Sequence, residues 1–272
     1  MDFLQNFLRI LDLRMDTPGM YGWFHILSLA VTAAAAVLLT LRHRNRTREQ
    51  TRHMILFVAV AVTLLEIYKQ INFSFGYENG ISFDFQWYAF PFQFCSTPMY
   101  VGLLAGMTKR GKLHEAACAY LATYAFFAGL CVMFYPSTVF IEVIGINIQT
   151  MYCHGSMIVV GACLLGSGYV KLENRTILKA IPVFAVCVAL AVIMNEAAFR
   201  TGLLETDTFN MFFVSPYCEP SLPVYSLVQA VVPFPFCLLI YVAGFTLAAY
   251  LVLLAAMGVR SMAGRLRGKA AV

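Results

Sequence analysis

The sequence predicts an all-α polytopic membrane protein with seven transmembrane helices, its N-terminus outside and its C-terminus cytoplasmic. Three observations lead there. Of 272 residues, 60% are hydrophobic and 12% charged, with a mean hydropathy of +0.74, a mixture that does not keep a globular domain in water. Apolar windows of about 20 residues, the length that crosses a hydrocarbon core, occur seven times. Basic residues collect in alternate connections, the pattern that orients membrane helices.

The elements follow in order. Residues 1–20 interleave charges with apolar positions and form no uninterrupted apolar core, so they are expected to be an amphipathic interfacial helix with no cleavable signal peptide. The transmembrane domain is expected over 21–258, with spans at 21–41, 54–74, 87–107, 116–135, 148–170, 178–200 and 229–258. Residues 259–272 are a basic cytoplasmic tail. The segments 42–53, 109–115, 171–179 and 260–269 carry fifteen of the nineteen Lys and Arg residues and are placed inside. The intervening loops carry Glu78, Asp84, Glu142, Glu205, Asp207 and Glu219, and Trp23 and Trp87 fall at outer span ends where indoles prefer the headgroup level. The net charge of +5 is therefore a topology signal, and nucleic acid is not an expected partner. Membrane lipids are. Oligomeric state stays open, and no cofactor is called for. The protein is expected in the plasma membrane.

Ionisable and strongly polar side chains are costly inside a bilayer, so each one in a span needs a reason. His25, Glu66, Lys69, Gln70, Gln93, Cys95, His154, Asn195 and Glu196 are such residues. With spans one, three and five entering from outside, His25 lies four residues in, Cys95 eight and His154 six, while Glu66 and Asn195 lie near outward exits. All fall in the outer half of the membrane. A cavity opening outward accounts for that clustering. His25, Ser28 and Thr32 make a polar stripe, and Glu66 and Lys69, at i and i+3, can neutralise each other with Gln70 on the same face. His43, His53 and His114 lie in basic loops and are expected to be solvated.

Most of the eight cysteines are expected to be small core residues. Cys95 stands apart because Pro91 and Pro98 flank it. Neither proline can donate to the carbonyl four residues back, so a bent or partly unwound helix is expected. Irregular backbone at membrane depth lines a cavity or is buried in protein. A thiol there needs a base, and His154 or His25 could serve. Gln93 either joins the site, if the turn unwinds, or serves a neighbouring helix. Residues 201–228, containing "NMFFVSPYCEPSLP", are too apolar for a plain loop and are expected to fold back as a lid or re-entrant piece.

"WFHILSLA", "LLEIYKQ", "PFQFC", "MYCHGSMI" and "NEAAFRTGLLETDTFNMFFVSP", in that order, resemble the YwaF-like family of bacterial integral membrane proteins, whose animal relatives include transmembrane protein 164. The resemblance covers about residues 21–258, with departures at Gln93 and Met211, where histidine and tyrosine are usual. It implies a lipid-acyl enzyme working through a cysteine and a histidine, akin to the androgen-induced serpentine hydrolases. Carried over, Cys95 matches the nucleophile and His154 the histidine, with His25, Glu66, Lys69, Gln93, Asn195 and Asn210 in support. The leading expectation is an intramembrane acyltransferase or acyl hydrolase. A transporter or receptor for a small solute is the first alternative. The second is a metal-dependent hydrolase ligated by His25, His154, Cys95 and Glu66.

Overall fold

A computed structural model describes residues 3–78, 80–136, 139–202, 208–219, 221–234 and 236–270. Glu205 and Asp207, placed on the outer side above, lie outside the described residues. Six helices are long and apolar enough to cross a membrane: Trp23–His43 (α2), Arg48–Ser74 (α3), Lys112–Phe134, Ile144–Gly166 (α7), Arg175–Thr201 (α8) and Phe236–Arg265 within Phe236–Ala270 (α10). Lys112–Phe134 is built from Lys112–Tyr120 (α5), a π-helical turn at Leu121–Ala125 and Phe126–Phe134 (α6). Before α2 lies Phe3–Leu11 (α1), and Pro223–Val231 (α9) precedes α10.

The expected third span departs from a continuous helix. Residues 87–107 form a 3-10 turn at Trp87–Ala89, an irregular stretch, and a helix only from Thr97 to Met107 (α4), 11 residues long. At 1.5 Å per residue α4 reaches roughly half of a ~30 Å core. The prolines are the cause, and Pro98 occupies the start of α4, where its missing N–H leaves nothing unsatisfied. The carbonyls expected to be free are not. The Thr97 hydroxyl donates to the Phe94 carbonyl at 3.1 Å, and the Phe90 N–H donates to that of Trp87 at 3.1 Å.

The helices touch where small residues allow it, which is how apolar helices associate in lipid. A Cβ at Gly155 would sit 2.6 Å from Thr32 Oγ1, and one at Gly106 2.6 Å from Leu56 Cβ. Of the stripe of His25, Ser28 and Thr32, Thr32 packs against α7 at Gly155. Thr47 and Gln50 make a reciprocal cap that starts α3. Arg52 is buried and donates to the Gly106 carbonyl, closing the last turn of α4 with a cation.

Two histidines expected in solvent are buried instead. His43 Nδ1 meets Thr51 Oγ1 at 3.0 Å, and His114 Nε2 meets the Tyr169 hydroxyl at 2.8 Å. The cause is that α2 runs on to His43 and α5 begins at Lys112, inside the stretches read as loops, with His43 set against the first turn of α3 and His114 in the first turn of α5. His53 is exposed.

At the other end of α3, a strap of residues 11–15 is stapled down. Tyr68 and Asn72 donate to the Leu11 carbonyl at 2.7 and 3.3 Å, and Met15 N and Ile144 N exchange bonds with Glu142 and Leu13 carbonyls. Tyr77 donates to Asp12 at 2.7 Å, which raises the Tyr77 phenol above its ordinary range. A short hairpin, Phe75–Gly76 (β1) with Ser82–Phe83 (β2), completes this end. Between strap and hairpin is a largely polar cavity of about 660 Å³.

Candidate functional site

The polar residues of the spans separate into three groups. The first surrounds Glu66. Its Oε1 takes Lys69 Nζ at 2.6 Å and Gln70 Nε2 at 3.0 Å, and its Oε2 takes Gln149 Nε2 at 3.2 Å. Glu66 is buried, so an ion pair with two amide donors keeps a carboxylate supplied with hydrogen bonds where water cannot. The ion pair expected from the i, i+3 spacing is formed. Gln149, on α7, was not singled out from the sequence, although Gln149, Cys153 and Ser156 at i, i+4 and i+7 draw a polar stripe on that helix.

His154 hangs from the same network. Its Nδ1 lies 2.8 Å from the Thr150 carbonyl, and the Thr150 hydroxyl donates to Gln149 Oε1 at 3.4 Å. A carbonyl can only accept, so Nδ1 carries the hydrogen and Nε2 presents a lone pair. His25 has the opposite tautomer. The Tyr21 N–H donates to its Nδ1 at 2.9 Å, so its Nε2–H donates to the Met133 carbonyl at 2.8 Å. Both ring nitrogens are engaged, and His25 pins α2 to α6, apart from the Glu66 group.

Cys95 lies on the irregular stretch before α4. Cys153 Sγ donates to the Cys95 carbonyl at 3.7 Å, and both cysteines line a cavity of about 30 Å³ with Pro98, Leu121, Ser156 and Met157. That volume is water-sized. Lys69 and Glu66, paired at 2.6 Å, act with opposite signs on Cys95 and Cys153, so an ion pair and not a lone cation acts on the cysteines. Cys95 and His154 are not hydrogen-bonded to each other among the described residues. The π-helical turn of Leu121–Ala125 faces the same cavity, and such turns recur at functional sites.

The third group holds the re-entrant piece. Gln93 donates to the Asn210 carbonyl at 3.0 Å and accepts from the Phe212 N–H at 3.0 Å. Asn195 does the same across Met211, with bonds of 3.0 and 2.8 Å. Tyr241 donates to the Phe212 carbonyl at 3.0 Å, and the Asn210 side chain accepts from Ser215 N at 2.9 Å. Residues 209, 211, 212 and 214 are buried, so the stretch described from 208 folds into the bundle. Phe212, with φ of 59°, is held left-handed by bonds on both sides. Gln93 therefore serves a neighbouring segment, not Cys95. Tyr241 carried no signal in sequence beyond being a tyrosine in an apolar run.

No three His, Cys, Asp or Glu side chains among the described residues could hold a metal ion together. Residues 20–255 match the TMEM164 family. No curated protein and no solved structure matches the chain.

Proposed function

The chain belongs to the TMEM164 family of integral membrane proteins, and from that premise we propose that it is an intramembrane acyl-transfer enzyme, an acyltransferase or acyl hydrolase, acting on membrane lipids. The observation that carries the reading is His154. Its tautomer is set by the Thr150 carbonyl, which leaves Nε2 as a base on the residue after Cys153, and Cys153 lines the cavity that Cys95 also lines. Cys95 attacks the acyl carbonyl carbon, and its proton passes to Nε2. The tetrahedral oxyanion forms on the side of the Lys69–Glu66 pair; as it collapses the ester C–O bond breaks, the lipid alkoxide takes the proton from His154 Nε2 and leaves as an alcohol, and an acyl thioester remains on Cys95. The unliganded distance between thiol and imidazole is closed by lipid binding, as catalytic hydrogen bonds tighten in the substrate complex.

The reading includes seven crossings, with residues 87–107 as a broken seventh, N-terminus outside and C-terminus cytoplasmic. The basic inner segments support that orientation. In the plasma membrane, lipid then enters sideways from the outer leaflet. An activity-based acyl probe tests the proposal: it is expected to label Cys95, to label nothing in Cys95→Ala, and to label His154→Ala at least tenfold more slowly. Equal labelling of His154→Ala removes the dyad.

The 660 Å³ polar cavity supports a second reading, binding of a small solute. Saturable solute binding that Cys95→Ser leaves unchanged, with no acyl adduct in the wild type, selects it.

A further inference from the structure

The cavity that Cys95 and Cys153 line continues away from them, towards the start of α3. α7 runs antiparallel to α3, with Gln149 bonded to Glu66 and Gly145 against Tyr68. α4 is antiparallel to α3 as well, with Gly102 against Ala59 and Gly106 against Leu56. On each helix the lining therefore moves the same way, from Val62 to Ile55 on α3, from Cys153 to Val160 on α7 and from Pro98 to Gly102 on α4. Seven residue steps on α3 and on α7, at 1.5 Å each, make a slot about 10 Å long. At its far end the helices close up. Leu56 meets Gly106 and Phe126 meets Gly161, and a Cβ on either glycine would collide.

The slot is apolar and narrow. Apart from the two cysteines only Ser156 is polar in its lining, and the Ser156 hydroxyl donates to the Cys153 carbonyl at 2.8 Å. A water there would find few of the polar partners it needs. The open space is about 30 Å³ because the buried side chains of Met99 and Met157 lie along it. Methionine is unbranched and repacks to suit what it meets, so these two give way to a straight chain. The backbones of α3 and α4, in contact at Ala59 and Gly102, do not give way to a branch.

We infer that this slot takes the acyl chain, carbonyl at Cys95 and tail towards Ile55, and that it restricts the substrates to unbranched acyl groups of medium length. This rests on the acyl-thioester reading above and names the acyl groups it accepts. Each methylene that enters the slot leaves water and favours reaction by roughly fourfold, until the chain meets the closed end. Carbons beyond that point have no place between the helices.

The test presents the full-length protein in detergent micelles with p-nitrophenyl acetate, octanoate, hexadecanoate and a mid-chain branched octanoate, each at equal mole fraction in the micelle, and follows the Cys95 adduct by peptide mass. Wild type is expected to react with straight octanoate at least tenfold faster than with any of the other three. In Gly102→Ala the added methyl would stand 3.0 Å from Ala59 Cβ, and the ratio of octanoate to acetate rates is expected to fall at least fivefold. Met157→Ala is expected to raise the ratio of branched to straight octanoate at least fivefold. Each readout is a ratio within one protein, so a smaller folded fraction cancels. Equal wild-type rates on octanoate and hexadecanoate overturn the inference, as do wild-type ratios in both variants. Absence of a Cys95 adduct from every ester in wild type overturns the acyl-enzyme reading itself.

Discussion

Glu66 gathers three donors at a depth where a lone carboxylate would be costly, and the energetic consequence can be measured. Lys69→Met leaves a buried, uncompensated charge and is expected to cost about 3–5 kcal/mol. The double variant Glu66→Gln with Lys69→Met should recover most of that loss, read from unfolding midpoints in detergent. Strictly additive losses would mean the pair is not coupled. Gln149→Leu removes the donor to Glu66 Oε2 and the acceptor of the Thr150 hydroxyl, with an expected cost of about 1–3 kcal/mol. An unchanged midpoint would place Gln149 outside the network. Much of this was legible beforehand: polar residues in an apolar chain identify themselves, and the i, i+3 spacing foretold the ion pair. The lateral direction of each side chain was not. His25 and His154 sit at similar depth in the sequence, yet one faces α6 with both nitrogens engaged and the other keeps a free lone pair. Only helix rotation and packing decide that.

Among the elements, the broken third span and the re-entrant 208–219 stretch depend on each other. Irregular backbone in a membrane must have its N–H and C=O groups satisfied by protein, and here the side chains of Gln93, Asn195 and Tyr241 do it. Gln93→Leu and Asn195→Leu each strip two bonds from buried backbone and are expected to cost on the order of 3 kcal/mol. Limited proteolysis should then cut within 208–219 faster than in the wild type. Unchanged cleavage and an unchanged midpoint in both variants would show that the segment is held otherwise. The prolines announced the break, and the apolarity of "NMFFVSP" announced the re-entry. What the chain could not announce was their pairing. Gln93 and Phe212 are 119 residues apart, and a side-chain amide in place of a β-ladder leaves no periodicity to read.

Over the whole molecule, cation placement and hydropathy carry the architecture. Six helices long and apolar enough to cross a membrane stand among the described residues, and the proposed orientation rests on the fifteen cations of the predicted inner segments. In a cysteine-depleted background, Thr17→Cys is expected to react with an impermeant maleimide on intact cells, and Ser261→Cys only after lysis. The reverse pattern would invert the topology and move the 660 Å³ cavity to the cytoplasmic side. The proposed chemistry rests on the Glu66 group, Cys95 and His154. The measurement that bears most directly on it is the mass of the Cys95-containing peptide after exposure of the purified protein to lipid. A hydroxylamine-sensitive acyl adduct on Cys95, absent in Cys95→Ala and at least tenfold slower to form in His154→Ala, is the result expected. An unmodified Cys95 in protein that turns over lipid, or equal adduct formation without His154, would contradict it.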